Sequence, residues 1–290
     1  MSDVWQLVVQ GVTSGAVYAI AAASIVLMYR TTRLFNFAIG AMIALAAYLL
    51  YALTDAGLPF AVAAPLAVLA VGVVAAVFYR LVPARMVRQA HWVAIVSTLA
   101  FGILIEGLLG VIWLGNNYTV ATPWTPSLVD VGGGAQVQGT GLVTFAVMVV
   151  CCGAAALVVS ARRLGARFTA AATHAVVADA RGIPTARFHV AAWLLGGLLA
   201  GVAGVAYGST ASVGFGVVLV GFAAFPAAII GGLDSVPGSM IAGSLLGIVQ
   251  AVLTRAGLGD AFGAVAFALA VGVLVVRPTG LLGSREALRV

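Results

Sequence analysis

Apolar runs of membrane-crossing length recur along the whole chain, separated by short polar breaks. A bilayer core about 30 Å thick takes about 20 helical residues. Runs of that kind occupy about 4–29, 34–53, 57–79, 92–114, 140–160 and 188–208. A longer apolar stretch, 213–254, is interrupted by GGLDSVPG at 231–238 and reads as two segments, 215–232 and 237–254. The last run is 259–276. The pattern predicts nine segments, with seven spans plus a re-entrant pair after residue 213 as the alternative. Pro226, inside the first of that pair, is expected to kink or break it, because proline removes a backbone donor and clashes with the preceding turn.

Composition makes these runs membrane spans. Hydrophobic residues are 63% of the 290 and charged residues 8%, with a mean hydropathy of +1.17. Soluble domains carry about 25% charge, so this chain could not cover a soluble surface. The fold class is all-α, a polytopic membrane protein whose residues 1–290 form a single transmembrane domain. MSDVWQLVVQ lacks a basic region and a small-residue cleavage site, so the first run is expected to be a retained span.

The cations set an orientation. There are 14 Arg and no Lys, for a net charge of +6. Arg30 and Arg33 follow the first run, Arg80, Arg85 and Arg88 the third, and Arg162, Arg163, Arg167, Arg181 and Arg187 the fifth. Arg277, Arg285 and Arg289 follow the last, and Arg255 alone breaks the pattern. The opposite loops contain Asp55 and Asp130 but no Arg. Positive residues favour the cytoplasmic side, which puts the N-terminus outside and the C-terminus in the cytoplasm. The Gly- and Pro-rich stretch 115–139 is then an external loop, and 161–187 the one sizeable cytoplasmic segment.

That cytoplasmic segment carries an Ala-rich helix, RFTAAATHAVVADAR at 167–181, closed by Gly182 and Pro184. Phe168, Ala171, Ala175, Val176 and Ala178 give it an apolar surface with no core of its own to enter. It either packs on the protein's own membrane face or docks into another protein. Close helix contacts are signalled by Gly11–Gly15, Gly197–Gly201, Gly204–Gly208 and Gly243–Gly247, which place small residues one turn apart.

Glu106 is the only acidic residue well inside a predicted span, where a charge costs about 3 kcal/mol on the insertion scale. It should face a polar interior, a partner or a cavity, as a pathway group or as a structural hydrogen bond. Asn36 is a second pathway candidate, with capping or bending of its span as the alternative. His91 and His189 flank spans and His174 lies on the cytoplasmic helix, with no ligand spacing for a metal. Cys151 and Cys152 are adjacent in one run and read as small buried hydrophobes. There is no HExxH, no P-loop and no Ser/His arrangement deep in a span. The chain reads as a membrane protein that is not an enzyme, has no cofactor and cannot hydrolyse ATP by itself.

Several segments resemble the branched-chain amino acid type permease subunits of bacterial ABC importers. GVTSGAVYAIAAASIVLMYRTTRLFNFAIGAMIALAAY at 11–48, with Asn36, Phe37, Ala38 and Gly40, is similar to that family's first two spans. ARGIPTARFHVAAWLLGGLLAGVAGVAYG at 180–208 resembles its cytoplasmic exit and following span. GGLDSVPGSMIAGSLLG at 231–247, with Gly231, Gly232, Pro237 and Gly238, resembles its Gly-rich motif, and RPTGLLG at 277–283 its C-terminal ending. The family usually has His where Ile39 stands, Gly where Asp234 stands and an acidic residue near Thr173. These departures bear on the solute and the detailed contacts.

The resemblance implies that 166–187 is a coupling helix seated in a cytoplasmic ATPase, through Phe168, Ala171, His174, Ala175, Ala178, Asp179, Arg181 and Gly182. It also implies a second permease subunit, identical or different, two ATPase subunits and an external solute-binding protein, serving import of a branched-chain amino acid or a related amide or carboxylate. A sugar-type permease of the same superfamily and a proton-coupled secondary transporter using Glu106 are the alternatives.

Overall fold

The structure, a computed structural model, describes residues 2–86, 89–123, 128–132, 136–173 and 175–283. Its helices are α1 (Ser2–Thr32), α2 (Ile39–Asp55), α3 (Phe60–Leu81), α4 (His91–Trp113), α5 (Gly139–Ser160), α6 (Arg162–Thr173), α7 (Ala175–Ala180), α8 (Thr185–Thr210), α9 (Val218–Gly231), α10 (Val236–Arg255) and α11 (Phe262–Val276). Seven are long and apolar enough to cross a membrane, α1, α3, α4, α5, α8, α10 and α11; Ile39–Asp55 and Phe215–Gly231 are shorter apolar helices. The apolar pattern therefore locates all nine, and the protein is an all-α polytopic membrane protein.

α1 is the axis of the bundle, packed by α10, α8, α9 and α5. Its inner surface is built from small residues: Ala16, Ala19, Ala21, Ala22 and Ala23 are wholly buried. Lipid tails are as apolar as leucine, so helices in a membrane gain from close backbone packing rather than from expelling water. The glycine pairs show this directly. Gly11 and Gly15 of α1 meet Gly247 and Gly243 of α10, and a Cβ on Gly15 would lie 2.7 Å from the Gly243 carbonyl oxygen. A Cβ on Gly197 of α8 would come within 2.6 Å of Ala75 in α3, and one on Gly204 would collide with Ile43 of α2.

The second predicted segment needs correction. It is not helical from residue 34: the chain leaves α1 with Arg33 at φ +55° and stays irregular to Ala38 before α2 begins. This connector lies inside the bundle, where Ala38 packs on Gly102 of α4 and the Phe37 ring stacks on Phe225 of α9 at 5.1 Å. Non-helical backbone at such depth must find polar partners within the protein. The Phe37 N–H donates to Thr98 Oγ1 at 3.2 Å, and the Ala38 N–H to Asn36 Oδ1 at 3.0 Å.

Pro226 does not break its segment, since α9 runs through it from Val218 to Gly231. At its start Phe215 packs on Gly110 and Gly115, at the C-terminal end of α4; past its end Gly232 meets Thr279 and Gly283, beyond α11. α9 thus runs the length of the bundle. The loop 115–139 also contains more order than its composition suggests: Leu128–Asp130 (β1) pairs antiparallel with Gln136–Gln138 (β2), and Tyr118 bridges Val213.

The two glycine-rich motifs meet in space. Ser235 caps α10 by accepting from the Gly238 N–H at 3.1 Å, and Pro237 sits in the first turn, where no donor is missed. Gly232 has φ +106° and its α-carbon faces Gly280, so a side chain at either position would clash. The N–H groups of Leu281 and Leu282 donate to the carbonyls of Ile230 and Gly231 at 2.7 and 3.1 Å. The end of RPTGLLG therefore satisfies the orphan carbonyls at the C-terminus of α9. Arg30, at the end of α1, reaches the same turn and donates to the Asp234 carbonyl at 3.1 Å.

Candidate functional site

Glu106 is half-buried on the flank of α4 and lines a cleft of ≈ 200 Å³ between α2, α4 and α9, with Phe37, Gly40, Gly102, Gly221 and Phe222 among its walls. Gly40 and Gly221 touch through their backbones, which draws α2 and α9 together behind the cleft. Ile103, Leu104, Leu108, Leu219 and Phe222 around it are exposed. The carboxylate thus stands at the edge of an apolar face, in a recess rather than in the core.

Asn36, the other pathway candidate, is turned away. It is 1% exposed, its carboxamide oxygen holds the Ala38 N–H, and its nitrogen lies 3.3 Å from both Met28 Sδ and Met42 Sδ. It turns the chain just ahead of α2 without capping the helix, and it is not among the residues that line the cleft. Thr98, which the sequence did not single out, shares that task. Wholly buried, it accepts from Phe37 and donates toward the carbonyls of Ile95 and Phe35 at 2.7 and 3.3 Å.

The segment 161–187 folds as α6 and α7, with His174 between them outside the described residues, as are the side chains of Ala175 and Val176. The stop works as its residues demand. Gly182 takes φ +79°, its N–H donates to Asp179 O, and the Ile183 N–H reaches back to Ala178 O at 3.0 Å, closing a Schellman motif. Asp179 then holds the next helix: its carboxylate accepts the Thr185 N–H at 3.0 Å and the Thr185 hydroxyl at 2.9 Å. These bonds, the backbone one first, hold the Asp179 carboxyl below the usual carboxylate range.

The expectation that this helix has nowhere internal to bury its apolar residues is wrong. Phe168, Ala171 and Ala178 are each 5% exposed or less, and Phe168 packs edge-on against Phe188 of α8 at 5.2 Å. One face of α6 rests on α1, α5 and α8. The exposed face carries Arg167, Val177, Asp179, Ala180, Arg181 and Gly182.

His189, read as an interfacial residue, is a tie between elements. Its Nε2 lies 3.1 Å from Ala171 O, an acceptor only, so Nε2 carries the proton; Nδ1 then accepts from the Tyr79 hydroxyl at 3.0 Å. One side chain of α8 thereby joins α6 to α3.

The arrangement has a recess with an acid at the membrane flank, a tied helix at the arginine-bearing end, and two motifs fused into one turn. The family described as branched-chain amino acid transport system / permease component matches residues 7–276. The chain belongs to that family. The chain is also similar to the high-affinity branched-chain amino acid transport system permease proteins LivH of Salmonella typhimurium and LivH of Escherichia coli. Each is 28% identical to this chain, over 98% of it and 97% of the relative. BraD of Pseudomonas aeruginosa, of the same description, is also 28% identical over the same shares. Among solved structures, PsaBC from Streptococcus pneumoniae in complex with Fab aligns over 95% of this chain and 92% of its own, with a TM-score of 0.50 and 15% identity, a likeness of fold alone. The protein is a permease component of a multi-pass membrane type.

Proposed function

We propose that this protein is the permease subunit of an ATP-driven importer in the bacterial cell membrane, moving a branched-chain amino acid or a related small polar solute. In this reading an external binding protein delivers the solute, and two ATPase subunits act on the surface at 166–187 from the cytoplasm. A second permease subunit, identical or different, covers the flank that holds Glu106. The N-terminus is outside and the C-terminus cytoplasmic, as the arginines indicate. Glu106 is the pathway residue; Asn36 stays with the start of α2.

The observation that supports this most is the construction of α6–α7. Its buried face and the His189 tie fasten it to α1, α3 and α8, while its outer face, with Val177, Asp179, Ala180, Arg181 and Gly182, is left open. A helix that only covered its own protein would not need both a rigid fastening and an open, small-residue face. Push on that face and the motion passes to α3 and α8 through hydrogen bonds rather than through lipid.

The test uses Val177 and Ala180, because Ala178 is buried and an arginine there would damage the fold itself. Val177→Trp and Ala180→Arg are expected to abolish uptake and copurification of the ATPase while membrane insertion stays at the wild-type level. If both variants transport and retain the ATPase, 166–187 is no coupling surface. A wild-type protein that purifies from its native membrane without an ATPase, yet transports, would favour the proton-coupled alternative.

A further inference from the structure

At the end of the bundle away from the arginine-bearing turns, α1, α5, α8 and α10 part around a second cleft, of ≈ 450 Å³. It shares no lining residue with the Glu106 recess. Its walls carry Gln10, Ser14 and Tyr18 of α1, Thr144 of α5, Tyr207 of α8 and Gln250 of α10, and among the described residues no charged one lines it. The lip is fixed. Gln6 donates to Gln136 O at 2.6 Å and accepts from Gln136 N at 2.7 Å, while Trp5 Nε1 donates to Gly132 O at 2.9 Å.

The cleft goes into the apolar layer. At about 1.5 Å per residue, Tyr18 lies some 24 Å along α1 from its first residue. The Ser14 and Thr144 hydroxyls each hold a backbone carbonyl of their own helix, Gly11 O at 3.2 Å and Thr140 O at 3.0 Å, and keep lone pairs free to accept. Hydroxyls and carboxamides from four helices line this one space, with Tyr18 and Gln250 both in its walls. Polar groups at such depth are costly unless water or a polar ligand meets them. A lipid-facing surface has no use for them.

We propose that this cleft is a binding station for a small solute without net charge, held by neutral hydrogen bonds. Hydroxyls and carboxamides both donate and accept, so they can meet the two ends of a zwitterion or an amide at once. A net anion or cation would find no counter-charge and would keep its full desolvation cost. At about 30 Å³ per water of liquid volume, the space holds a molecule of amino-acid size with several waters. This extends the permease reading, and puts neutral selection in the permease itself.

The test is made on Ser14, exposed on the cleft wall, as Ser14→Cys in a Cys151→Ala/Cys152→Ala background, in proteoliposomes of the full chain with its ATPase. Three methanethiosulfonates are compared, carrying a hydroxyethyl, a sulfonatoethyl or a trimethylammonium-ethyl group, each rate divided by that with free 2-mercaptoethanol. The neutral reagent is expected to react about tenfold faster than either ion, and excess leucine to slow it. Equal normalised rates for all three would overturn the proposal, whatever the uptake results. Ser14→Phe, which puts bulk into the cleft, is expected to cut leucine uptake about tenfold at unchanged insertion. Wild-type uptake in Ser14→Phe overturns the proposal as well. If the wild-type complex imports no branched-chain amino acid, the assignment of that solute fails separately, and the labelling ratio still decides whether the cleft selects against charge.

Discussion

α1 and α4 are both apolar helices of spanning length, with mean hydropathies of 1.8 and 2.2 over their apolar 18-residue stretches, yet 83% of that stretch is buried inside the protein in the first and 22% in the second. The more hydrophobic helix is the one outside. In water the order would be reversed; in lipid, apolarity earns no place in the core, and residue size sorts the helices instead. α1 is lined by Ala and Gly and lets four neighbours approach its backbone, whereas α4 presents Ile103, Leu104, Leu108, Val111 and Ile112 outward. Only Thr98, Gly102, Ile105 and Leu109 of α4 are buried, a single stripe against the connector and α2.

The sharpest way to break this contrast is bulk on the axis. Gly15→Leu places a side chain where the Gly243 carbonyl and the Gly247 α-carbon already sit. Backbone on both sides cannot yield, so the cost is expected to exceed about 3 kcal/mol. The expected result is loss of monodisperse protein after detergent extraction. Normal yield and an unchanged unfolding midpoint would mean that α1 and α10 are not in register as described. A smaller effect is expected where the stripe of α4 meets the connector. Thr98→Val keeps the shape but strands the Phe37 N–H inside the bundle, at about 1–3 kcal/mol, read as a lowered thermal midpoint. Least of all should come from the rim: Val111→Ala, at a site 77% exposed, should stay within about 0.5 kcal/mol of wild type. A fall of about 2 kcal/mol there would instead show protein, not lipid, covering that face.

The spans were legible because their signal is local: about 20 consecutive apolar residues suffice. The start of α2 was not, because LFNFA is as apolar as a helix. What makes it irregular is Asn36 turning onto Ala38 together with a threonine from another helix. Glu106 was legible as an oddity by its charge, and the structure puts it in a recess as the cost of burial demands. The apolar residues of α6 and α7 were misjudged, since a sequence shows that Phe168 and Ala171 are apolar but not that α8 offers Phe188 and His189 to receive them. The polar cleft escaped notice for a related reason. Its glutamines, threonines and tyrosines are scattered over four helices, one or two to each, and no window of sequence contains them together.

The joining of residues 230–232 to 280–283 has a consequence for how the molecule is made. A chain emerging from the ribosome completes α9, the turn and α10 well before RPTGLLG exists, so the carbonyls of Ile230 and Gly231 wait on a segment not yet synthesised. Closure of that turn is therefore a late step of biogenesis. A nascent chain that stalls within α11 leaves a polar seam open at the foot of the bundle, a mark by which quality control can tell an unfinished permease from a finished one.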